Sequence, residues 1–379
     1  MGFSCVLAIQ LIAGAINMSH QDSQMNQSTS SIVHSTRHLA SNLLFRAGVA
    51  ALLFVSSTAI LLPETVNADT KLNQAIAPTV TAQVPATATV IYVNSATGKD
   101  SAGVGKTVDA PVKTITYALS RAQAGTVVQL ALGSYTATTG EVFPLAIKSG
   151  VTLRGDAATK GQNTTITGGG DYISPTFARQ HVTVLAENDS TITGITITNP
   201  DTRGTALWLE STNPQVNNNT FIGSNREGIF VTGTAAPKIE ANIFTNNGGN
   251  GISVVRSAQG EIRDNLFLDT GFGLAIGGTS SPLVVNNKII QNTDGMVISD
   301  NAHPVLRHNM IEHNKQEGIV AIVNAQPDLG TLQSVGENMI HSNGHYDIYN
   351  ATDSNTMVAV GNDIDTNHIL GKVDCKVHR

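Results

Sequence analysis

The sequence predicts an all-β protein: a single-stranded right-handed parallel β-helix of about ten coils of about 22 to 23 residues, capped at its N-terminal end by a short helix. The first observation behind this is an asparagine that returns at Asn219, Asn242, Asn265, Asn287 and Asn309, at spacings of 23, 23, 22 and 22 residues. The second is a pair of apolar columns locked to it. Val216, Ile239, Ile262, Val284 and Leu306 stand three positions earlier, and Phe221, Phe244, Phe267, Ile289 and Ile311 two positions later. The third is a glycine closing each unit, at Gly228, Gly251, Gly273, Gly295 and Gly318, followed at once by an apolar residue. An insertion around "NAQPDLGTLQS" stretches one unit before the pattern resumes at Asn338 and Ile340.

Each unit holds three short runs of β-branched and apolar residues parted by Gly, Asn, Ser and Thr, and none has a helical periodicity. That excludes helical solenoids. The fixed leucines of a leucine-rich repeat are missing, and a propeller blade needs about 40 residues with four strands. In a parallel β-helix each turn gives one strand to each of three sheets and stacks on the next at roughly 4.8 Å. Asparagines one turn apart can then bond amide to amide, and asparagine tolerates the left-handed backbone of a sharp turn. The glycine column is expected at a turn of positive φ.

The other segments follow in chain order. Residues 1–68 have the layout of a signal peptide: Arg37 and Arg46, an apolar stretch from Ala47 to Leu62, then Val66 and Ala68 before an expected cleavage. Met18 or Met25 is the expected true start, because the apolar "FSCVLAIQLIAGAI" precedes a polar Ser/Gln-rich segment. Residues 69–88 read as a flexible Ala/Thr/Pro linker, 89–366 as the β-helix and 367–379 as a C-terminal tail. In "DAPVKTITYALSRAQAG" Ile115, Ala118, Leu119 and Ala122 share one face of a helix that Gly125 ends. Such a helix would cover the open first coil.

Composition narrows the function. Net charge is -6 and no Lys/Arg-rich run is present to neutralise phosphates, so nucleic acid is not a partner. No stable membrane span is expected after processing, and the product is expected to be extracytoplasmic, periplasmic or secreted in a bacterium. Cys5 would be lost with the signal, leaving Cys375 without an internal disulfide partner.

The stretches "YVNSATGKDSAG", "APVKTITYAL", "GTVVQLALGSY" and "GVTLRGD" resemble, in that order, the leading region of a bacterial domain-of-unknown-function family in the pectin-lyase-like β-helix superfamily. The later Asn/Phe turns resemble carbohydrate-binding and sugar-hydrolysis repeats, found also in the periplasmic copper-maturation protein of nitrous oxide reductase. The resemblance spans roughly residues 90 to 350. It implies the fold more than an activity, since that superfamily holds lyases, hydrolases, epimerases and binding proteins. Its pectate lyases work on the outer face of one sheet, with carboxylates gripping calcium and an Arg or Lys near the sugar.

On the sheet that follows the glycines, alternation points Phe230, Val255, Val297, Val320 and Ile322 outward, with Thr, Ser, Ala and Gly between them and no charge. Such a stripe is a candidate binding surface, expected to lie under the tail after Asn338, the linker from Asp69 or a partner protein. Trp208 aligns with inward Val231 and is expected in the core. Asp294 and Glu317 precede column glycines on adjacent coils and form a candidate catalytic acid/base or calcium pair. His313 with His341 and His345, beside Glu312, is a candidate zinc or copper site. Two function classes stay open. One is a non-catalytic protein that binds polysaccharide or an envelope protein and requires no cofactor. The other is a divergent polysaccharide lyase, glycoside hydrolase or epimerase, with calcium as the cofactor of a lyase. N-terminal sequencing of the exported protein should begin at Asp69; recovery of the intact chain in the inner membrane would refute the export reading.

Overall fold

Short strands with one inward side chain each are the building unit. In Gln215–Asn217 only Val216 is fully buried, and in Thr220–Ile222 only Phe221. A lone three-residue strand holds nothing together, so each must pair with its counterpart one coil away. The computed structural model describes residues 88–352 and 354–376. The expected signal peptide, its cleavage site and all but the last residue of the linker lie outside the described residues. Among the described residues, three long sheets of nine, ten and eleven strands run the length of the coil. Register advances by one repeat at every step: Val216 faces Ile239, Phe221 faces Phe244 and Ile229 faces Ile252, all parallel. The protein is a right-handed parallel β-helix.

The expected asparagine column is one continuous ladder. Asn219 Nδ2 donates to Asn242 Oδ1 at 3.1 Å, and the same bond repeats from Asn242 to Asn265, Asn265 to Asn287, Asn287 to Asn309 and Asn309 to Asn338. Each side-chain oxygen also accepts the backbone N–H of the asparagine one coil below. The second amide hydrogen goes to a carbonyl, as from Asn265 to Ile239 O at 3.0 Å. Every polar atom of the turn is satisfied without water. Beside the ladder, Phe221, Phe244 and Phe267 stack with ring centroids 5.1 and 4.7 Å apart.

Two conformational expectations are corrected. The left-handed residue is not the ladder asparagine but the one before it, Asn218, Ala241, Asp264, Asn286, His308 and Glu337, with φ from 51° to 56°. The ladder residue must keep its own N–H aimed along the stack, so the bend falls one position earlier. That Ala241 accepts it shows how strongly coil pairing overrides local preference. The column glycines do not have positive φ either. They answer a steric demand: a Cβ on Gly251 would lie 2.5 Å from Phe267 Cδ1 and 2.7 Å from Gly273 O of the next coil.

A second ladder lies five residues after the first. Asn292 Nδ2 donates to Asn314 Oδ1, Asn314 to Asn343, and Asn343 to Asp347 Oδ1 at 2.8 Å, with Ser224, Asn247 and Thr270 in the preceding coils. The helix Ile115–Arg121 forms as expected, burying Ile115, Ala118 and Leu119 against Thr89–Val93, Thr126–Leu130 and Leu145–Ile147. Thr114 caps it, and the buried Glu141 carboxylate accepts from Ile115 N and Thr116 N at its positive end. At the other end the coil runs past the expected boundary at residue 366: Ile369–Leu370 pairs with Ile348–Thr352, and Val373–Asp374 with Met357–Val358. No helix among the described residues is long and apolar enough to cross a membrane.

Asn265→Ala would leave two buried donors of Asn242 and the Ile239 carbonyl without their side-chain partner, and Asn287 Oδ1 with the backbone N–H of residue 265 alone. The expected loss is about 2 to 4 kcal/mol. Gly251→Ala should cost about 1 to 3 kcal/mol through overpacking. Denaturant midpoints check both.

Candidate functional site

The third sheet carries two outward rows, one residue per coil in each. Directly before the glycine position stand Thr205, Glu227, Asn250, Phe272, Asp294, Glu317 and Tyr346. At mid-strand stand Trp208, Phe230, Ser253, Ala275, Val297, Val320 and Tyr349. In the sequence Glu227, Asn250 and Phe272 align with the two acids, each directly before a column glycine, whereas Tyr346, half-buried like Phe272, is hidden because Asp347 stands in the glycine position.

Trp208 corrects an expectation. It pairs with Phe230, not Val231, because Ala206 fills the glycine position and Leu207 and Leu209 take the inward places. Trp208 and Phe230 stack 4.3 Å apart on the outer side of the sheet. Phe230 is nonetheless only 6% exposed. Its cover is none of the three expected: strands Gly170–Ile173 and Arg179–Ala186 form an antiparallel hairpin whose loop drops Phe177 onto both rings. Glu210 fastens this loop, accepting from Tyr172 Oη, Ser174 Oγ, Thr176 N and Trp208 Nε1 at 2.8 to 3.0 Å. Burial opposes its charge, but the bonds from Thr176, Trp208 and Ser174 hold its pKa below the usual value. Arg256 completes the clasp, donating to Thr176 O at 2.9 Å with its guanidinium 5.1 Å above the Phe177 ring. Beyond the loop Val255 and Val320 are half-buried, while Val297 and Ile322 are nearly covered by their neighbours.

Asp294 and Glu317 come together as the register requires, and each is only 4% exposed. Glu317 N donates to Asp294 Oδ1 at 3.2 Å. Burial, then the hydrogen bond and charge of Glu317, raise the Asp294 pKa to about 7. His345 Nδ1 of the next coil lies 3.4 Å from Glu317 Oε1. The arrangement can hold, share and release a proton near neutral pH. It does not fit calcium, which takes six to eight oxygens.

The expected metal site does not assemble. Register sets His341 opposite Glu312, with Nδ1 3.8 Å from Oε2, whereas His345 lies beyond the next corner against Glu317. His313, left-handed at φ 56°, falls opposite Ser342. Among the described residues no group of three or more His, Cys, Asp or Glu could hold a metal ion. An open cavity of about 340 Å³ lies elsewhere, between the insertion (Ala325, Pro327, Asp328) and the last coils (Asn350, Asn355, Met357), away from the carboxylate pair.

The family described as "Protein of unknown function (DUF1565)" matches residues 96–369. The chain belongs to this family. No curated protein matches the DUF1565 chain in sequence. Among solved structures it is similar to XylC, in a complex with xylose, at 12% identity and a TM-score of 0.52, over 72% of this chain and 69% of that one. It is similar also to pectate lyase Pel9A, at 12% identity and a TM-score of 0.47, over 76% and 77%. An alginate lyase from Paenibacillus sp. str. FPU-7 matches at 14% identity and a TM-score of 0.43, over 69% and 96%. These are pectin-lyase-like parallel β-helix proteins, and at such identities the likeness is one of fold.

In the folded DUF1565 domain Asp294 keeps its proton up to about pH 7, whereas an unperturbed aspartate releases it near 3.8. The stability this contributes is full below about pH 4 and is lost as pH rises through about 7, at most about 4 kcal/mol. Asp294→Asn should flatten that loss. Identical pH–stability curves for the two proteins would refute the assignment.

Proposed function

We propose that this is an exported β-helix protein that binds polysaccharide without cleaving it, in the cell envelope or the extracellular matrix. The observation that carries the reading is the outward row from Asn250 to Tyr346, which offers one polar or aromatic group per coil, about 4.8 Å apart, along the coil axis. A glycan lying along that axis would meet the part-exposed Asn250, Phe272 and Tyr346, with the two covered acids beneath it. No lysine or arginine stands in that part of the row, and the acids it contains are buried, one of them protonated near neutrality. The fold is one that solved carbohydrate-active proteins share, which is consistent with this reading. An envelope protein docking on Val255, Val297 and Val320 has weaker support, because Val297 is only 4% exposed.

A divergent lyase, glycoside hydrolase or epimerase is the second reading, favoured by the raised pKa of Asp294 beside Glu317 and His345. In it the pair would exchange a proton with the sugar, without calcium. Residues 69–379, incubated with acidic and neutral glycans with and without calcium, should bind a glycan and release no unsaturated or shortened product. Phe272→Ala and Tyr346→Ala should each weaken binding about tenfold, about 1.4 kcal/mol. Product that disappears in Asp294→Asn or Glu317→Gln would replace this reading with the enzymatic one.

A further inference from the structure

The hairpin loop covers the apolar outer face, and it also stands across the mid-strand row, while the strand that follows it reaches the row before the glycines through Gln180. It rises from the coil of Arg179–Ala186, crosses those of Gly204–Glu210 and Ile229–Thr232, and ends against Arg256, one residue past the strand Asn250–Val254 and its outward neighbour Val255. Beside it Arg226 donates to Gln180 Oε1 at 3.2 Å and to Glu227 Oε1 at 2.9 Å, and Glu227 accepts from Thr205 Oγ1 at 2.7 Å. The row before the glycines is thereby filled by side chains bonded to one another in those coils. Toward the other end nothing comparable crosses among the described residues: Phe272, Val320, Tyr346 and Tyr349 are only half-buried and Leu370 is 40% exposed. The sheet face is closed at one end and open at the other.

We propose that the loop Ser174–Ala178 and its clasp, Glu210 and Arg256, form an end wall, so that the protein takes the terminus of a glycan chain and not its interior. This rests on the reading of the face as a glycan surface. Two coil steps, from the coil of Asn250 and Arg256 through that of Phe272, separate the wall from Asp294, about 10 Å, which leaves room for about two sugar rings before the carboxylates. A chain lying along the rows has to stop at the wall, at the Gln180–Arg226–Glu227 bonds in the row before the glycines and at Phe177 in the mid-strand row, since continuing would lift Phe177 from two aromatic rings and the loop from its bonds to Glu210. The wall is thus fixed by the fold and needs no ligand to form.

The test is loading against chain length. Size-fractionated xylo-, cello- and galacturono-oligosaccharides, from short oligomers to long polymers, are titrated with residues 69–379, and protein bound per chain is read by light scattering. With an end wall, loading stays at one protein per chain whatever the length. The double variant Phe177→Gly, Arg256→Ala, checked for an unchanged β-sheet circular dichroism spectrum, should let chains pass and raise loading on the longest polymer at least threefold. Wild-type loading that grows in proportion to length overturns the wall and leaves the glycan reading standing, and it decides the matter without any variant. Absence of binding to every oligosaccharide series overturns the glycan reading and the wall with it.

Discussion

Parallel pairing between coils fixes one spacing for the whole molecule, and almost every sequence feature of the repeat is a side chain that tolerates meeting its own copy at that distance. Asparagine succeeds because it carries a donor and an acceptor on one short amide, so each copy is satisfied by the next. Phenylalanine succeeds because flat rings stack at 4.7 to 5.1 Å. Glycine is required where the next coil's carbonyl and the ring column leave no space for a Cβ. A charge cannot join such a column without facing a like charge, which accounts for a charged fraction of only 13%. The ladders also need ends. Asn362 closes the first by returning its amide to Leu329 O, and Asp347 closes the second because a carboxylate accepts from Asn343 and has no hydrogen to pass on.

The same rule gives the carboxylate pair its character. Asp294 and Glu317 are like groups on adjacent coils, the juxtaposition the rest of the stack avoids, and they persist because one of them can keep its proton. Phe272 below and Tyr346 above flank them, and His345 Nδ1 stands 3.4 Å from Glu317 Oε1. The scaffold has kept these two acids on neighbouring coils, whereas the third acid of the row, Glu227, is paired with Arg226.

How much of this the sequence disclosed follows from what repeats. The coil, the first ladder, the phenylalanine column and the cap were legible because each recurs or has a local helix signal. The second ladder was equally present, five residues after every asparagine of the first, but Ser224 and Thr270 interrupt it and hide the period. Positions such as Asn218 and Ala241 carry no common chemistry, so the left-handed column could not be read from residue type. The hairpin was beyond reach for a different reason. It occurs once, and its contacts join Tyr172 and Phe177 to Trp208, Phe230 and Arg256, a span no repeat alignment registers. The histidine site failed where the insertion broke the register used to align His313.

That insertion also marks where the coil is held differently. Elsewhere successive ladder asparagines are 22 to 24 residues apart, but Asn309 and Asn338 are separated by 29. His308 with Glu337, His341 with Glu312 and His345 with Glu317 all join the two coils on either side of that step, at three places around the circumference. His308 and His345 are more than half exposed, so these contacts add little beyond what pairing supplies and attract only when the imidazole is protonated. The firmer tie comes from the insertion itself: Leu329 and Ala325 are buried in the core, and Arg307 donates to Asp328 Oδ2 and to its carbonyl at 2.8 Å. In a stack whose stability is a sum over neighbouring coils, a longer coil is tolerated when its extra residues bury side chains of their own, and this one does.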